Sequence, residues 1–301
     1  MCEFYYPSRE IQLKRIKSPT PYLFIFPAVI FVAVIVYFGI FYTFWASTRE
    51  WVDIKSPSEG IGFSNYSILF QDPVLRSSLK HIFIFGSIAV ATQMTLGLIA
   101  AFLLSGNSII GRNIHRTFIF LPVIISPAVT SISFRQLMTP DGEINSILRF
   151  FHLTFLEQEW LSNPKVALFS LALINIWQWT SFSFILYQAS ITQLEQETLE
   201  AAEIDGASNW QILSRVVAPQ LRGTHITLVV MGFIGSMKTF DLPYLTTGGG
   251  PAGSTEFLTT YIFDQSVSRF HFGYGSTLSV VLCILSILFT VLLFRISREK
   301  S

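Results

Sequence analysis

Charge is what this sequence has least of: only 13% of its 301 residues are Asp, Glu, Lys or Arg, where a soluble domain carries about a quarter. That deficit excludes an ordinary water-soluble globule. The formal net charge of +1, without any basic cluster, excludes a nucleic-acid surface built on phosphate neutralisation. Cysteine occurs only as Cys2 and Cys283, so neither a disulfide framework nor a cysteine metal site can be assembled. No apolar segment precedes Cys2, which excludes a lipid anchor there. The five histidines are scattered, and neither His-Glu-x-x-His nor Gly-x-Ser-x-Gly occurs. Gly232 to Thr239 superficially suggests a phosphate loop, but Met237 stands where that loop needs the glycine before its lysine. Gly248-Gly249-Gly250-Pro251, closed by proline, is no nucleotide site either. The chain is not expected to be an enzyme and offers no metal site.

What is abundant is hydrocarbon, 51% of residues being apolar. About 20 apolar residues in helical form cross the roughly 30 Å of a bilayer's interior. Runs at about 22–46, 81–104, 117–138, 166–190, 223–242 and 274–295 reach that length. They predict an all-α polytopic membrane protein with six transmembrane helices, one domain over 22–301 behind a polar segment, 1–21. The first run is too long for a signal-peptide core and has no small-residue cleavage site after it, so it reads as an uncleaved helix. Tyr22 and Trp45 at its ends fit the interfacial aromatic belts. Residues 47–80 read as a loop.

An even number of spans puts both termini on one side. Arg9, Lys14, Arg15 and Lys17 crowd the first span, and Arg112, Arg116, Arg215, Arg222, Arg295, Arg298 and Lys300 fall on the same side. Fewer basic residues lie opposite (Arg49, Lys55, Arg76, Lys80, Arg149, Lys165 and Arg269), so both termini are predicted cytoplasmic.

The longest polar, helix-forming stretch is 194–219, inside a loop covering 191–222 between the fourth and fifth spans. Thr192 with Glu195, and Ser208 with Gln211, have the spacing of capping boxes. Gly206 between them suits a left-handed helix terminus, and Pro219 is expected to stop the second helix. A short helix, a glycine turn and a second short helix result, on the cytoplasmic side.

Within this stretch, Glu200-Ala201-Ala202, then Gly206, then Val216-Val217-Ala218-Pro219 resembles the Glu-Ala-Ala loop of binding-protein-dependent ABC importer permeases. In that pattern Glu-Ala-Ala and Gly are followed by Ile-x-Leu-Pro; Val216 and Ala218 depart from the Ile and Leu. The fuller run Glu-Ala-Ala-x-x-Asp-Gly-Ala, which includes Asp205 and Ala207, is similar to the carbohydrate-uptake branch, the maltose and glycerol-phosphate type. Thr246 to Pro251 resembles that family's Thr-x-Gly-Gly-Pro segment after the fifth helix. Phe63-Ser64-Asn65-Tyr66 and Gly273-Tyr274-Gly275 extend the resemblance over nearly the whole chain.

The resemblance implies a type I (MetI-like) importer fold whose first cytoplasmic helix is a coupling helix, docked in a groove on an ATP-hydrolysing subunit. Glu200, Ala201, Ala202, Asp205, Gly206, Ala207 and Pro219 are the residues it assigns to coupling. The alanines permit close approach, and Glu200 offers a carboxylate to a basic residue. It further implies a bacterial inner-membrane transport subunit working by alternating access. Its expected partners are a second homologous permease (a heterodimer), two ATP-binding subunits and an extracytoplasmic solute-binding protein. No cofactor is expected on this chain, ATP and Mg belonging to the partner ATPase subunits.

Polar residues inside the spans are the remaining candidates. Asn175, Trp179, Phe182 and Ser183 recur at helical spacing on one face of the fourth span, as do Gly232, Ser236 and Thr239 on the fifth. They suit a sugar-binding pocket, with hydroxyl partners beside flat rings, and the resemblance points to the same helices. Equally, small and hydroxyl residues at such spacing pack membrane helices together. Gln93, Gln136 and Gln178 could line a path or bridge helices. Arg135, Lys238 and Asp241 lie in or near spans, where charge faces a cavity or a partner; Lys238 and Asp241 could also neutralise each other or, being close to the outer end of the span, snorkel to the interface. They keep open a non-sugar solute such as a polyamine or an amino acid.

Overall fold

The computed structural model describes residues 20–53, 56–106 and 110–298. Cys2, Arg9, Lys14, Arg15, Lys17, Lys55 and Lys300 lie outside the described residues, and with them much of the basis for the expected orientation.

Thr20–Val32 (α1) and Phe38–Ser47 (α2) continue into one another through a π-helical stretch, Ala33–Tyr37. This rod is apolar all round and faces outward until Ala46 and Ser47, as suits a helix whose surroundings are lipid or another membrane subunit. The segment 47–80, expected as a loop, is instead structured. Arg49–Asp53 (β1) and Ser56–Gly60 (β2) form an antiparallel hairpin, with Arg49 opposite Gly60, and Ser64–Leu69 (α3) comes next. Apart from that hairpin the regular elements among the described residues are all helical.

Pro73–Leu103 (α4) starts well before the apolar run that announces it. Its N-cap is Asp72, whose Oδ1 accepts from the amides of Val74 (2.8 Å) and Leu75 (3.2 Å), and Pro73 occupies the first turn, where a missing N–H costs nothing. Arg76 and Lys80 in the first two turns hid this start from a hydropathy reading. The third expected span is broken: Arg112–Ile124 (α5) and Pro127–Leu137 (α6) meet at 94°. Pro127 disfavours helical geometry in the residue before it, and Ile125 and Ser126 are extended. Glu143–Phe150 (α7) sits in the connection to Ala167–Ile191 (α8).

Gln196–Ile204 (α9), Asn209–Gln211 (α10) and Ala218–Gln220 (α11) make up the polar loop, with π-helical Ile212–Val217 between the last two. Arg222–Lys238 (α12) ends where Thr239 turns extended, and Asp241–Thr246 (α13) restarts the helix. Leu258–Phe263 (α14), a π-helical Asp264–Ser268 and Phe272–Arg298 (α15) complete the described chain. Among the described residues four helical stretches are long and apolar enough to cross a bilayer, five if the bent pair α5–α6 counts as one span. The expected six is not reached on this measure because α12 has only 17 residues.

Two apolar cores hold these helices. Near the start of α4, Ile82, Phe85, Leu171, Ile174, Leu258 and Leu278 bury together. Near its end, Ala101, Leu104, Phe184, Tyr187, Ile212, Leu213, Val217 and Leu228 form the other. Polar contacts brace the first core. Asp72 Oδ2 accepts the hydroxyls of Tyr261 (2.8 Å) and Tyr274, drawing α14 and α15 onto the head of α4. Asn65 donates through Nδ2 to the carbonyls of Ser47 and Arg49. A side chain at Gly273 would collide with the Arg49 carbonyl, so the two outlying sequence motifs meet at one point. Burial pulls the Asp72 carboxyl upward, but the Tyr274 and Tyr261 hydroxyls and the Leu75 and Val74 amides outweigh it, leaving it below its ordinary value. Its stabilisation is therefore full above a free carboxylate's pKa of about 4 and is lost as pH falls through the lowered value.

Replacing Asp72 with Ala removes an N-cap and two charge-assisted hydrogen bonds at once, a cost of about 2–4 kcal/mol. Thermal unfolding of the detergent-solubilised protein near pH 7 should show a lower midpoint for Asp72→Ala. The gap to wild type should narrow as the buffer is acidified below pH 4. An unchanged midpoint at neutral pH would show that the brace contributes nothing.

Candidate functional site

Between α4, α8 and α12 lies a cavity of about 280 Å³. Asn175, Trp179, Phe182 and Ser183 from α8 line it, and so do Gly232, Ser236 and Thr239 at the end of α12. The helical spacing that put each set on one face brings both faces to the same space. Val90, Gln93 and Met94 of α4 supply the third wall. Of these only Gln93 was flagged by the sequence, because an apolar helix does not announce which of its faces meets a cavity. Trp179 and Phe182 stand edge to face at 6.4 Å.

These side chains do two jobs. Ser183 and Ser236 are buried, and each sits against a glycine of α4. A Cβ on Gly97 would lie 2.7 Å from the Ser183 Cβ and 2.9 Å from the Phe184 nitrogen, and one on Gly86 would lie 3.2 Å from the Ser236 Cβ. Gly232 in turn would press a Cβ to 2.6 Å from a Val90 methyl. Ser236 and Thr239 return their hydroxyls to carbonyls of their own helix, Gly232 and Gly235. Helix packing therefore accounts for much of the small-residue pattern. Asn175 and Trp179 differ. Asn175 Oδ1 accepts from Gln93 Nε2 at 2.8 Å, which leaves its own Nδ2 donors for the cavity, and Trp179 is 38% exposed.

A second chamber of about 200 Å³ adjoins the first, sharing Asn175, Trp179, Gly235 and Thr239. Pro127, Gln178, Lys238, Phe240, Asp241 and Leu242 complete its wall. Gln178 Nε2 donates to the Ile125 carbonyl (2.8 Å), freed by the break between α5 and α6, so the kink and the chamber are built together. Ser181 donates similarly to the Ile119 carbonyl. Lys238 and Asp241, three residues apart, do not neutralise each other: among the described residues neither forms an ion pair. Arg135 reaches the Leu245 carbonyl at 3.4 Å. Gln136 is exposed and lines neither chamber.

Away from both chambers, α9 projects from the molecule. Glu200, Ala201, Asp205 and Gly206 are exposed, with Ala202 and Ala207 partly covered, and Ile204 (86%) and Trp210 (67%) are bare. The helix ends as the glycine predicts. Gly206 has φ +79°, and the amides of Gly206 and Ala207 reach back to the carbonyls of Glu203 and Ala202, both at 3.0 Å, a Schellman turn. The Ser208–Gln211 capping box forms. The one expected from Thr192 and Glu195 does not: the Thr192 hydroxyl turns back to the Ala189 carbonyl (2.8 Å) as α8 ends, and α9 starts without a side-chain cap. Pro219 stands in the last turn of the second helix, which ends one residue later at Gln220. Ala218 N–H bonds the carbonyl five residues back at Leu213, and Leu221 N–H the one four back at Val217. The ladder changes step at the residue that has no N–H to give.

That second helix is anchored. Ile212, Leu213 and Val217 bury in the core shared with the ends of α4 and α8. His225 of α12 ties it further, with Nδ1 2.6 Å from the Tyr187 hydroxyl and Nε2 2.9 Å from the Ala218 carbonyl. Since a carbonyl can only accept, Nε2 carries the proton and Nδ1 accepts from Tyr187. Ser190 and Thr224 hydroxyls pair at 2.7 Å alongside.

Comparison with known proteins gives a consistent result. Residues 93–299 match the family described as binding-protein-dependent transport system inner membrane component. A Bacillus subtilis protein named Probable ABC transporter permease protein YurN is 31% identical over 285 residues, covering 93% of this chain and 97% of that one. The Lactose transport system permease protein LacF of Rhizobium radiobacter is 30% identical over 292 residues, covering 96% and 97%. Among solved structures, a chain of a bacterial alginate ABC transporter, in complex with an alginate pentasaccharide-bound periplasmic protein, superimposes with a TM-score of 0.81. It has 19% identity over 93% of this chain and 94% of that one, a likeness of fold.

The close approach at Gly232 can be tested by itself. Gly232→Ala should destabilise the detergent-solubilised protein by about 1–3 kcal/mol, as overpacking does. Val90→Ala in the same chain should recover most of that loss of thermal midpoint. A Gly232→Ala protein as stable as wild type would mean that α4 and α12 are not in contact there.

Proposed function

The chain belongs to the family of binding-protein-dependent transport system inner membrane components, and from that membership we propose that it is a permease subunit of an ATP-driven importer for a sugar or sugar-like solute. The name of the lactose-system relative supports the sugar, as do the aromatic and amide groups gathered on one cavity. Trp179 and Phe182 offer flat apolar faces to the C–H surface of a sugar ring, while Asn175 offers amide donors to its hydroxyls. We assign hydrolysis of ATP, with its Mg, to two partner subunits, solute delivery to an extracytoplasmic binding protein, and the other half of the pathway to a second permease. In this reading the protein sits in a bacterial inner membrane with α9 and both termini in the cytoplasm.

The observation that carries the proposal is the contrast between α9 and the segment after it. Most of α9 is exposed, acidic and small-sided at Glu200, Ala201 and Ala202, whereas Ile212, Leu213, Val217 and Leu221 are sunk in the core beside the ends of α4 and α8. A partner that grips α9 therefore pushes on α12, and α12 lines the cavity. ATP-driven closure of the partners swings that wall so that the cavity faces outward, and hydrolysis restores the inward-facing state.

Two substitutions separate grip from assembly. Glu200→Arg reverses the charge offered to the partner, and Gly206→Val puts a β-branched residue where φ is +79°, a conformation such residues avoid. In the purified complex each should cut binding-protein-stimulated ATP hydrolysis at least about tenfold, the ratio that ~1.4 kcal/mol produces, while the subunits still co-purify. Wild-type stimulation in both variants would refute the coupling role.

A further inference from the structure

The connection between α6 and α8 is built inside out. Asn145 of α7 is buried. Its Nδ2 donates to the carbonyls of Pro140 (3.0 Å) and Gln158 (3.1 Å), and its Oδ1 accepts from the Trp160 indole (2.8 Å). Arg149 ties the same two stretches, donating to the Pro140 carbonyl (2.8 Å) and to Glu157 Oε2 (3.1 Å). α7 then closes on His152, at φ +58°. The amides of His152 and Leu153 return to the carbonyls of Arg149 and Leu148, a Schellman turn, and Thr154–Leu156 adds a 3-10 turn. With polar groups holding the inside, the apolar side chains are left on the outside. Phe150 (78%), Phe155 (74%), Phe151 (64%), Ile147, Leu153 and Leu156 are all exposed. Among the described residues none of the six joins either apolar core.

We propose that residues 147–156 form an interfacial anchor, their apolar side chains seated in the bilayer surface beside the head of α8. The fold fixes the depth. α8 has 25 residues, about 37 Å of helix against roughly 30 Å of hydrocarbon, so its first turns stand at the boundary of the apolar layer. Ile144, Trp160 and Leu161 pack on the core that holds Leu168 and Leu171 of those turns, which keeps the segment level with them. A water-facing surface bares large apolar residues singly, whereas this turn bares six within 147–156. Rigid, amphipathic and set at that depth, it has the character of an element lying in the interface plane with its apolar side in lipid. Electrostatics does not supply the attraction. Between 141 and 165 four carboxylates (Asp141, Glu143, Glu157 and Glu159) outnumber Arg149 and Lys165, so the anchor holds by apolar burial and needs no anionic lipid. A binding protein that comes and goes would bare the rings to water at each departure, whereas lipid covers them at every stage. The inference rests on α8 crossing the bilayer and is independent of the solute carried.

The test separates lipid, water and protein cover in the whole assembled complex, reconstituted in phosphatidylcholine vesicles. Nitroxide labels are placed singly at Phe150→Cys, Phe155→Cys and Glu159→Cys, in a Cys2→Ser, Cys283→Ser chain. Power saturation then compares access by oxygen, which partitions into lipid, with access by a water-soluble nickel chelate. Labels at 150 and 155 should favour oxygen and lie about 5–10 Å inside the headgroup boundary, while the label replacing exposed Glu159 should favour nickel. Nickel access at 150 and 155 overturns the anchor, and a fall in that access on adding binding protein would assign the surface to that partner. Low access to both reagents also overturns it, since the second permease would then be the cover. The unmodified complex gives a further reading that no substitution can spoil. A phosphatidylcholine with a diazirine in its acyl chain, photolysed in the same vesicles, should leave adducts on the peptide holding 147–156. Adducts on the spans with none on that peptide would contradict the proposal. ATP hydrolysis that ignores every binding-protein preparation would count against the importer reading, without bearing on the anchor.

Discussion

The structure depends on a buried joint between a polar loop and a membrane bundle. Ile212, Leu213 and Val217 are inside the same apolar core as Leu104 of α4, Phe184 and Tyr187 of α8 and Leu228 of α12. A Leu, Ile or Val fully buried contributes about 1.5–3 kcal/mol relative to exposure, so the joint is far stiffer than a tethered loop. The Tyr187–His225–Ala218 chain adds directional bonds at the same place. In the proposed mechanism this joint is what carries a force from α9 to α12. The π-helical step before Pro219 belongs to this joint, because it lets the short helix run on to Gln220 past a residue without an N–H.

Polar satisfaction shapes the walls of the two chambers. Inside a bilayer a bare carbonyl has no water to bond, so a break in a helix is tolerated only where a side chain repairs it. Gln178 repairs the break at Ile125, and Gln93 is held by Asn175. These repairs fix where α5, α6 and α8 stand and so define the chamber wall.

The helical class and the loop were legible because each rests on a local rule. Apolar length announces a membrane helix, and a glycine at the end of an acidic helix announces a left-handed turn, which Gly206 makes. The seven pathway candidates share one cavity because helical periodicity alone puts each set on a face. What remained hidden depends on neighbours that sequence order does not reveal. The start of α4 was masked by charged residues just past the Asp72 cap. The kink at Pro127 was read through, since a Pro-interrupted run still passes as apolar. Thr192 has the spacing of a capping box, yet its hydroxyl is used to end α8. Gly86 and Gly97 on α4, which let α12 and α8 approach, carry no signal until the facing serines are known.

The central claim is that α9 and α12 move as one body. Paired spin labels at exposed Glu203 on α9 and Thr227 on α12, read by double electron–electron resonance in the assembled complex, test it directly. Between nucleotide-free and ATP-bound states the Glu203–Thr227 distance should hold to within about 1.5 Å, one residue's helical rise. A change of about 5 Å, a full helical turn, would make the loop a loose tether and contradict the account.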